Sequence, residues 1–152
     1  MKQEVKLQII DGENKYLLAC TEILQKSELG NAYFSDEQKA KAMLQYALEK
    51  KELHIALNGQ GECVGFIYYM TNGVFGSYPY LHIVAVKEEY RSCGIGRQLM
   101  KYFEDNASDS PSAKYFLTVD DFNPRAKKLY KNRGALLHTD NPDFHIISSL
   151  LD

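Results

Sequence analysis

The feature that most constrains this chain is an apolar segment that leads through a short, glycine-containing loop into an amphipathic segment. Residues 80–86 are apolar almost throughout, which is typical of a strand buried on both faces. After Lys87-Glu88-Glu89-Tyr90 the loop reads Arg91-Ser92-Cys93-Gly94-Ile95-Gly96-Arg97. The next residues have the apolar face of a helix, formed by Leu99, Met100, Tyr102 and Phe103. The sequence therefore predicts a strand, a tight loop and a helix in direct succession.

The composition of this loop indicates that it binds phosphate. Successive backbone N–H groups before a helix N-terminus form a nest that attracts anions. Gly94 and Gly96 let the backbone come close to a phosphate because neither has a Cβ atom, and Arg91 and Arg97 can add charge-assisted contacts to a diphosphate. The Gly-x-Gly pattern alone is equally typical of a tight strand-to-helix turn. It also differs from the triphosphatase GxxxxGK[ST] motif and, with Leu99 at the last position, from the dinucleotide GxGxxG motif.

The N-terminal third predicts one strand and two helices. Val5, Leu7 and Ile9 alternate along a strand at 4–10, which the turn residues after it end. Apolar residues recur at helical spacing from 14 to about 29, and Gly30-Asn31 is interpreted as the C-cap. Ser35 with Gln38 forms a capping box for a second helix that runs to 49–51.

The remaining elements complete an α/β pattern. We expect a hairpin of strands 53–57 and 63–70, a buried strand 115–119, a helix 124–133 with Asn123 as N-cap, and terminal strands 135–138 and 144–150. The order βααβββαβαββ predicts an α/β sandwich built on one mixed sheet.

Length, charge and cysteines narrow the class of protein. A chain of 152 residues suits one compact domain, predicted over residues 1–152. A formal charge of −2 disfavours a broad nucleic-acid-binding face. Cys20, Cys63 and Cys93 lack metal-ligand spacing, so we expect reduced thiols and no metal site. The first residues resemble neither a signal peptide nor a membrane span, so we expect a cytoplasmic protein without a membrane partner.

Two segments resemble the signatures of the GCN5-related N-acetyltransferases, the GNAT family. Residues 83–96 are similar to the family's coenzyme A motif, [RQ]-x-x-G-x-[GA] after a buried strand. Residues 123–134 are similar to its second signature, Asn-x-x-Ala-x-x-Leu-Tyr-x-x-x-Gly, and the element order of the whole chain is that of the family. Two positions depart from the pattern: Ser92 stands where glycine is usual, and Ala135 where an aromatic residue is usual.

The resemblance implies a fold and a donor site. The fold is a mixed, mostly antiparallel sheet of about seven strands flanked by about four helices, with strands 80–86 and 115–119 splayed apart. The donor is acetyl-CoA, whose pantetheine arm would pair with the backbone of Val84 and Val86 and also contact Asn123. Its diphosphate would lie on Arg91, Ser92, Cys93, Gly94, Ile95, Gly96 and Arg97.

The resemblance also assigns the proton transfers. Tyr130 matches the tyrosine that protonates the departing coenzyme A thiolate, although a tyrosine on an amphipathic helix is also an ordinary packing residue. His82 occupies the place of the family's glutamate base, and a histidine titrates in a suitable range. A structural role for His82, with a water chain as the base, stays open. Transfer is direct, so Cys93 is not expected to act as a nucleophile.

The predicted function is an N-acetyltransferase that moves an acetyl group from acetyl-CoA to a primary amine within a ternary complex. A small amine, an amino acid or a peptide would fit as acceptor, and a homodimer is left open. The alternative is a catalytically weak acyl-CoA sensor or regulatory module on the same fold. The acceptor pocket is expected among residues 30–34, 73–79 and 140–144, which are the variable parts of such a scaffold.

Overall fold

The described residues form a sheet of seven strands together with helices. The computed structural model of the chain describes residues 5–71, 79–107, 114–119, 128, 136–137 and 145–150. The strands are β1 (Gln8–Asp11), β2 (Leu53–Leu57), β3 (Cys63–Met70), β4 (Tyr80–Val86), β5 (Lys114–Val119), β6 (Leu136–Leu137) and β7 (His145–Leu150). The helices are α1 (Leu17–Gln25), α2 (Glu28–Tyr33), α3 (Glu37–Glu49) and α4 (Ile95–Asn106), and 3-10 turns cover Asn14–Tyr16 and Glu88–Tyr90.

The strands lie in the order β1-β2-β3-β4-β5-β7-β6. The pairs β1–β2, β2–β3, β5–β7 and β6–β7 are antiparallel, and β4–β5 is parallel. Within the described residues the β4–β5 register comprises Tyr80↔Phe116 and Leu81↔Leu117, while β4 itself continues to Val86. The predicted fold class, a mixed and mostly antiparallel sheet with helices, is therefore confirmed, and the divergence of β4 from β5 stays a prediction.

The chain divides into two compact units. One comprises Met1–Tyr68 and Ile83–Tyr102, and the other comprises Tyr69–His82 and Phe103–Asp152. The first has an apolar core, which includes the fully buried Leu24, Leu44, Ile55, Phe66 and Leu99. In the second, Phe103 packs edge-on against Tyr115 and Tyr69, with ring centroids 4.7 and 5.1 Å apart. The single domain over residues 1–152 stays a prediction.

The predicted helix at 14–29 is wrong in its extent, and so is the capping role of Gly30. A 3-10 turn, α1 and the separate helix α2 occupy this part of the chain, and Gly30 lies inside α2. The Ser27 hydroxyl caps α2 by accepting a hydrogen bond from the Gly30 N–H at 3.0 Å. A Cβ atom on Gly30 would lie 1.8 Å from the Leu24 carbonyl oxygen. Glycine is needed here because α2 packs tightly against the end of α1, which the sequence pattern did not reveal.

The start of α3 also differs from the prediction. Its N-cap is Asp36 and not Ser35. The Asp36 Oδ1 accepts hydrogen bonds from the N–H groups of Gln38 and Lys39 at 2.9 and 3.4 Å. A carboxylate at the next position caps as well as a hydroxyl does, so the pattern located the helix start within one residue.

The hairpin strands β2 and β3 and the strand β4 have the predicted bounds. By contrast, β1 begins at Gln8. The predicted helix 124–133 lies outside the described residues except for Lys128, which is helical. Within the part of the chain that the structure describes, no helix combines the length and apolar character needed to cross a bilayer.

Candidate active site

The glycine-containing loop contains two residues in the left-handed region of backbone conformation. Ser92 has φ of 66° and Gly94 has φ of 79°. The loop follows the 3-10 turn Glu88–Tyr90 and leads directly into α4 at Ile95. Left-handed residues between extended and helical ones turn successive backbone N–H groups toward one side, as in anion-binding nests. The predicted strand, loop and helix are thus all present.

The N-terminus of α4 adds to the attraction for an anion. A helix of 12 residues places partial positive charge at its first turn, where N–H groups have no partner within the helix. Gly94 and Gly96 are half-buried and Arg97 is exposed, so a ligand can approach this end from solvent. The side chains of Cys93 and Ile95, in contrast, are buried beneath the loop.

A glycine in β3 allows α4 to lie close to the sheet. A Cβ atom on Gly65 would lie 2.9 Å from the Ala85 carbonyl oxygen and 3.3 Å from Ile95 Cγ2. Both neighbours are next to the site, since Ala85 belongs to β4 and Ile95 begins α4. Gly65 therefore sets how closely the helix N-terminus approaches β4.

The strand β4 presents one buried face and one half-buried face. Ile83 and Ala85 are buried, whereas His82, Val84 and Val86 are half-buried, so the predicted burial on both faces is wrong. An apolar sequence allows a strand to be covered on both faces but does not supply the elements that cover it.

The backbone of β4 alternates between its two edges. The Lys87 N–H donates to the Val64 carbonyl of β3 at 2.8 Å. Successive residues of a strand direct their polar groups to opposite edges, so Val84 and Val86 direct theirs away from β3.

Comparison with known sequences identifies the family. The sequence profile of the Acetyltransferase (GNAT) family matches residues 17–135. The chain belongs to the GNAT acetyltransferase family. The family that the two sequence signatures predicted is thereby confirmed.

Individual relatives agree with this assignment. The GNAT chain is 35% identical over 89 residues to the thialysine N-epsilon-acetyltransferase of Sus scrofa. The matched segment covers 57% of this chain and 52% of that protein. It thus spans about half the length of the curated relatives it matches.

Solved structures show the same fold. PH1933 from Pyrococcus horikoshii OT3 superposes with a TM-score of 0.82 at 17% identity, over 97% of this chain and 99% of that one. The PaiA N-acetyltransferase from Thermoplasma acidophilum, solved in complex with coenzyme A, has a TM-score of 0.76 at 17% identity, over 95% and 99% of the chains.

The structure places most of the predicted donor-binding residues of this GNAT chain in one unit. Val84, Val86 and the loop from Arg91 to Arg97 all belong to the unit that comprises Met1–Tyr68 and Ile83–Tyr102. Asn123 and Tyr130 lie outside the described residues, as do residues 73–78 and 140–144 of the expected acceptor pocket. Residues 30–34, the third acceptor segment, fall in and just after α2.

His82 is half-buried on β4, edge-on to the Tyr80 ring with centroids 5.8 Å apart. Burial penalises its charged form and lowers the pKa of His82 to about 4. The imidazole is therefore neutral near pH 7, with a lone pair that can accept a proton, but it is a weaker base than an ordinary histidine.

Cys93 keeps its thiol away from the nest. The side chain is 6% exposed, and its sulfur lies 3.8 Å from the Arg91 carbonyl oxygen, to which it donates. The loop can thus offer the backbone of Cys93 to a ligand while the thiol faces the protein.

His54 is a buried histidine with polar neighbours. Its Nδ1 lies 3.3 Å from Asp11 Oδ1 and 3.3 Å from the Tyr102 hydroxyl. Burial lowers the pKa of His54 despite the opposing influence of Asp11, so the contact with the carboxylate is a hydrogen bond of a neutral ring near pH 7. In the described ranges no group of three or more potential metal-binding side chains occurs.

Two anchors of the loop were missed by sequence reasoning. Before the loop, Glu62 pairs with Lys87 and accepts from the Tyr90 hydroxyl at 3.1 Å, and the Lys87 ammonium lowers the pKa of Glu62. On the loop itself, the Val5 N–H donates to the Cys93 carbonyl at 3.0 Å. Both join segments far apart in sequence, and no local pattern signals such contacts.

Proposed function

We propose that this GNAT chain is an acetyl-CoA-dependent N-acetyltransferase acting on a primary amine. The observation that carries the proposal is the loop with two left-handed residues that opens α4 in a chain of this family. The thialysine N-epsilon-acetyltransferase relative is named for transfer to a side-chain amine, which supports an amine acceptor. A small molecule is the proposed acceptor, and an amino acid or peptide amine belongs to the same chemical class.

The residues present fit the donor. The N–H groups of Ser92, Cys93, Gly94, Ile95 and Gly96 would bind the diphosphate, and Arg91 and Arg97 would add charge-assisted contacts. Val84 and Val86 direct their backbone groups to the edge away from β3, where a pantetheine arm would add like a strand. Asn123 is proposed as a further contact of that arm. When bound, acetyl-CoA supplies an acetyl group activated as a thioester.

Two side chains are proposed to move protons. The His82 imidazole is neutral because burial lowers its pKa. Its unprotonated ring nitrogen accepts a proton from the acceptor amine, directly or through water. Tyr130 donates its phenolic proton to the departing sulfur. An amine attacks only in its neutral form, and a thiolate leaves more readily when it is protonated, so one group is needed on each side.

The proposal is tested by measuring thiol release from acetyl-CoA with a panel of amines. The panel contains thialysine, lysine, spermidine, other amino acids and peptides with free N-termini, with an acceptor-free reaction as background. We expect release above background with at least one amine and an acetylated product of matching mass. Coenzyme binding without release on any acceptor would favour the sensor alternative, and absence of coenzyme binding would contradict both.

Replacing Tyr130 by phenylalanine separates an enzyme from a binding module. The proton donor is lost while the ring stays, so kcat should fall about 100-fold or more with the dissociation constant of acetyl-CoA unchanged. Tyr46→Phe on α3 is the matched control, since Tyr46 is 54% exposed. An equal loss of kcat and donor affinity in Tyr130→Phe would contradict the proton-donor role.

A further inference from the structure

Two hydrogen bonds join the segment before β1 to the loop at residues 91–97 and to α4. The Val5 N–H donates to the Cys93 carbonyl oxygen at 3.0 Å. The side-chain amide of Gln98, in the first turns of α4, donates from Nε2 to the Val5 carbonyl oxygen at 2.6 Å. Both polar groups of the Val5 backbone are thus used, and Gln98 holds Val5 where it meets the loop. We call this arrangement the Val5–Gln98 clamp.

The clamp fixes the orientation of one peptide group in the nest. The Cys93 carbonyl belongs to the same planar peptide unit as the Gly94 N–H, and the peptide bonds described are trans. In a trans peptide the C=O and N–H groups point in opposite directions. A Cys93 carbonyl held toward Val5 therefore holds the Gly94 N–H pointing away from Val5.

The same glutamine also fixes the far side of Gly94. The Gln98 N–H donates to the Gly94 carbonyl oxygen at 3.1 Å, which begins the hydrogen bonding of α4. Gly94 has φ of 79°, and a glycine can rotate into several other conformations at little cost. Without these ties the Gly94 peptide would have to be ordered when a ligand binds, which costs affinity.

We propose that Gln98 is a positioning residue for coenzyme binding, which acts through Val5 to hold the Gly94 N–H toward the diphosphate. The inference rests on the proposed donor site. It goes beyond that site because Gln98 is not among the residues proposed to bind the coenzyme, and its side-chain amide is bonded to Val5. No motif in the sequence links residues 5 and 98, and only the folded chain brings them together.

The first test replaces Gln98 by methionine, which keeps the length and helix preference of the side chain but removes the donor. We expect the dissociation constant of coenzyme A and the KM for acetyl-CoA to rise about three- to tenfold, the usual value of one hydrogen bond, with kcat within about twofold. Gln45→Met on α3 is the matched control, since it makes the same change at a residue bonded to Glu49. We expect it to leave the affinity unchanged.

The second test asks whether Gln98 acts through Val5. Val5→Pro in the full chain removes the N–H that binds Cys93 without altering α4. It should weaken coenzyme A binding to a similar degree. If Gln98 acts through Val5, the variant that carries both substitutions should bind coenzyme A as well as the single variant with the lower affinity does. Val5→Pro also serves as the test by itself if Gln98→Met does not fold.

The outcomes separate this inference from the proposed function. Wild-type protein that binds no coenzyme A overturns both. Wild-type protein that binds, with an affinity unchanged in Gln98→Met or with fully additive effects in the double variant, overturns the clamp alone. A fall in kcat that exceeds the rise in KM would also overturn it, because a residue that positions only the donor changes binding.

Discussion

Among single residues, Ser92 departs from the family pattern, and its backbone conformation shows what the position requires. Glycine is usual at this position, and the structure holds Ser92 at φ of 66°, where an L-residue pays about 1–2 kcal/mol. A glycine would adopt this conformation without that cost. The sequence showed this departure, but only the backbone conformation of Ser92 shows why glycine suits the position.

Gly94 offers a prediction with an internal control. Gly94→Leu places a side chain at φ of 79° in the nest, whereas Gly61→Leu places one at φ of 78° in the β2–β3 turn, where nothing lies within 4 Å. Both variants should lose about 1–2 kcal/mol of unfolding free energy in urea titrations. Only Gly94→Leu should lose coenzyme A binding in calorimetry, and tight binding by that variant would refute the placement of the diphosphate.

His82 predicts a pH dependence of stability. Its pKa in the folded protein, about 4, lies below the ordinary 6.5, so the unfolded chain binds more protons between these values. The contribution is fully present above pH 6.5 and is lost as the pH falls toward 4, by up to about 3 kcal/mol. Urea titrations from pH 7 to 4 measure it, and His82→Gln should flatten this slope. An unchanged slope in His82→Gln would show that His82 does not titrate abnormally.

At the level of elements, the fit between β3, β4 and α4 depends on one missing side chain. Gly65→Ala would place a Cβ atom 2.9 Å from the Ala85 carbonyl oxygen, and a backbone atom can yield only if the strands move. We expect a loss of about 1–3 kcal/mol in unfolding free energy together with weaker coenzyme binding, since Ile95 is also displaced.

The control for this prediction is Gly59→Ala in the β2–β3 turn, where a Cβ atom meets nothing within 4 Å. That variant should keep both the stability and the coenzyme affinity of the wild type. A similar loss in the two variants would show that the packing of α4 against Gly65 is not the cause.

For the whole molecule, the proposed donor site predicts stabilisation by ligand. A ligand that binds only the folded state at 100 times its dissociation constant adds about 2.7 kcal/mol, which is about 5–11 °C in Tm for a chain of this size. Thermal scans with coenzyme A should show this shift for the wild type and for Gly61→Leu, but not for Gly94→Leu. Equal shifts in all three would place the ligand elsewhere.

The sequence by itself determined the elements whose causes are local. The alternation and turn residues of β2 and β3, the apolar run of β4 and the glycines before α4 depend on neighbours in the chain, and these elements were predicted with their bounds or nearly so. The two signatures likewise predicted the family, which the family profile confirms. They also predicted a diphosphate site at residues 91–97.

The tertiary structure alone decided what depends on contacts between distant segments. It made Gly30 part of α2 because that helix packs against Leu24, left one face of β4 half-buried, and lowered the pKa of His82 through burial. It also brought Val5 to Cys93 and Gln98. Such contacts leave no periodic trace in the sequence, because folding and not local preference selects the partner. The sequence thus predicted a phosphate-binding loop at residues 91–97. The hydrogen bonds by which Val5 and Gln98 orient this loop are seen only in the tertiary structure.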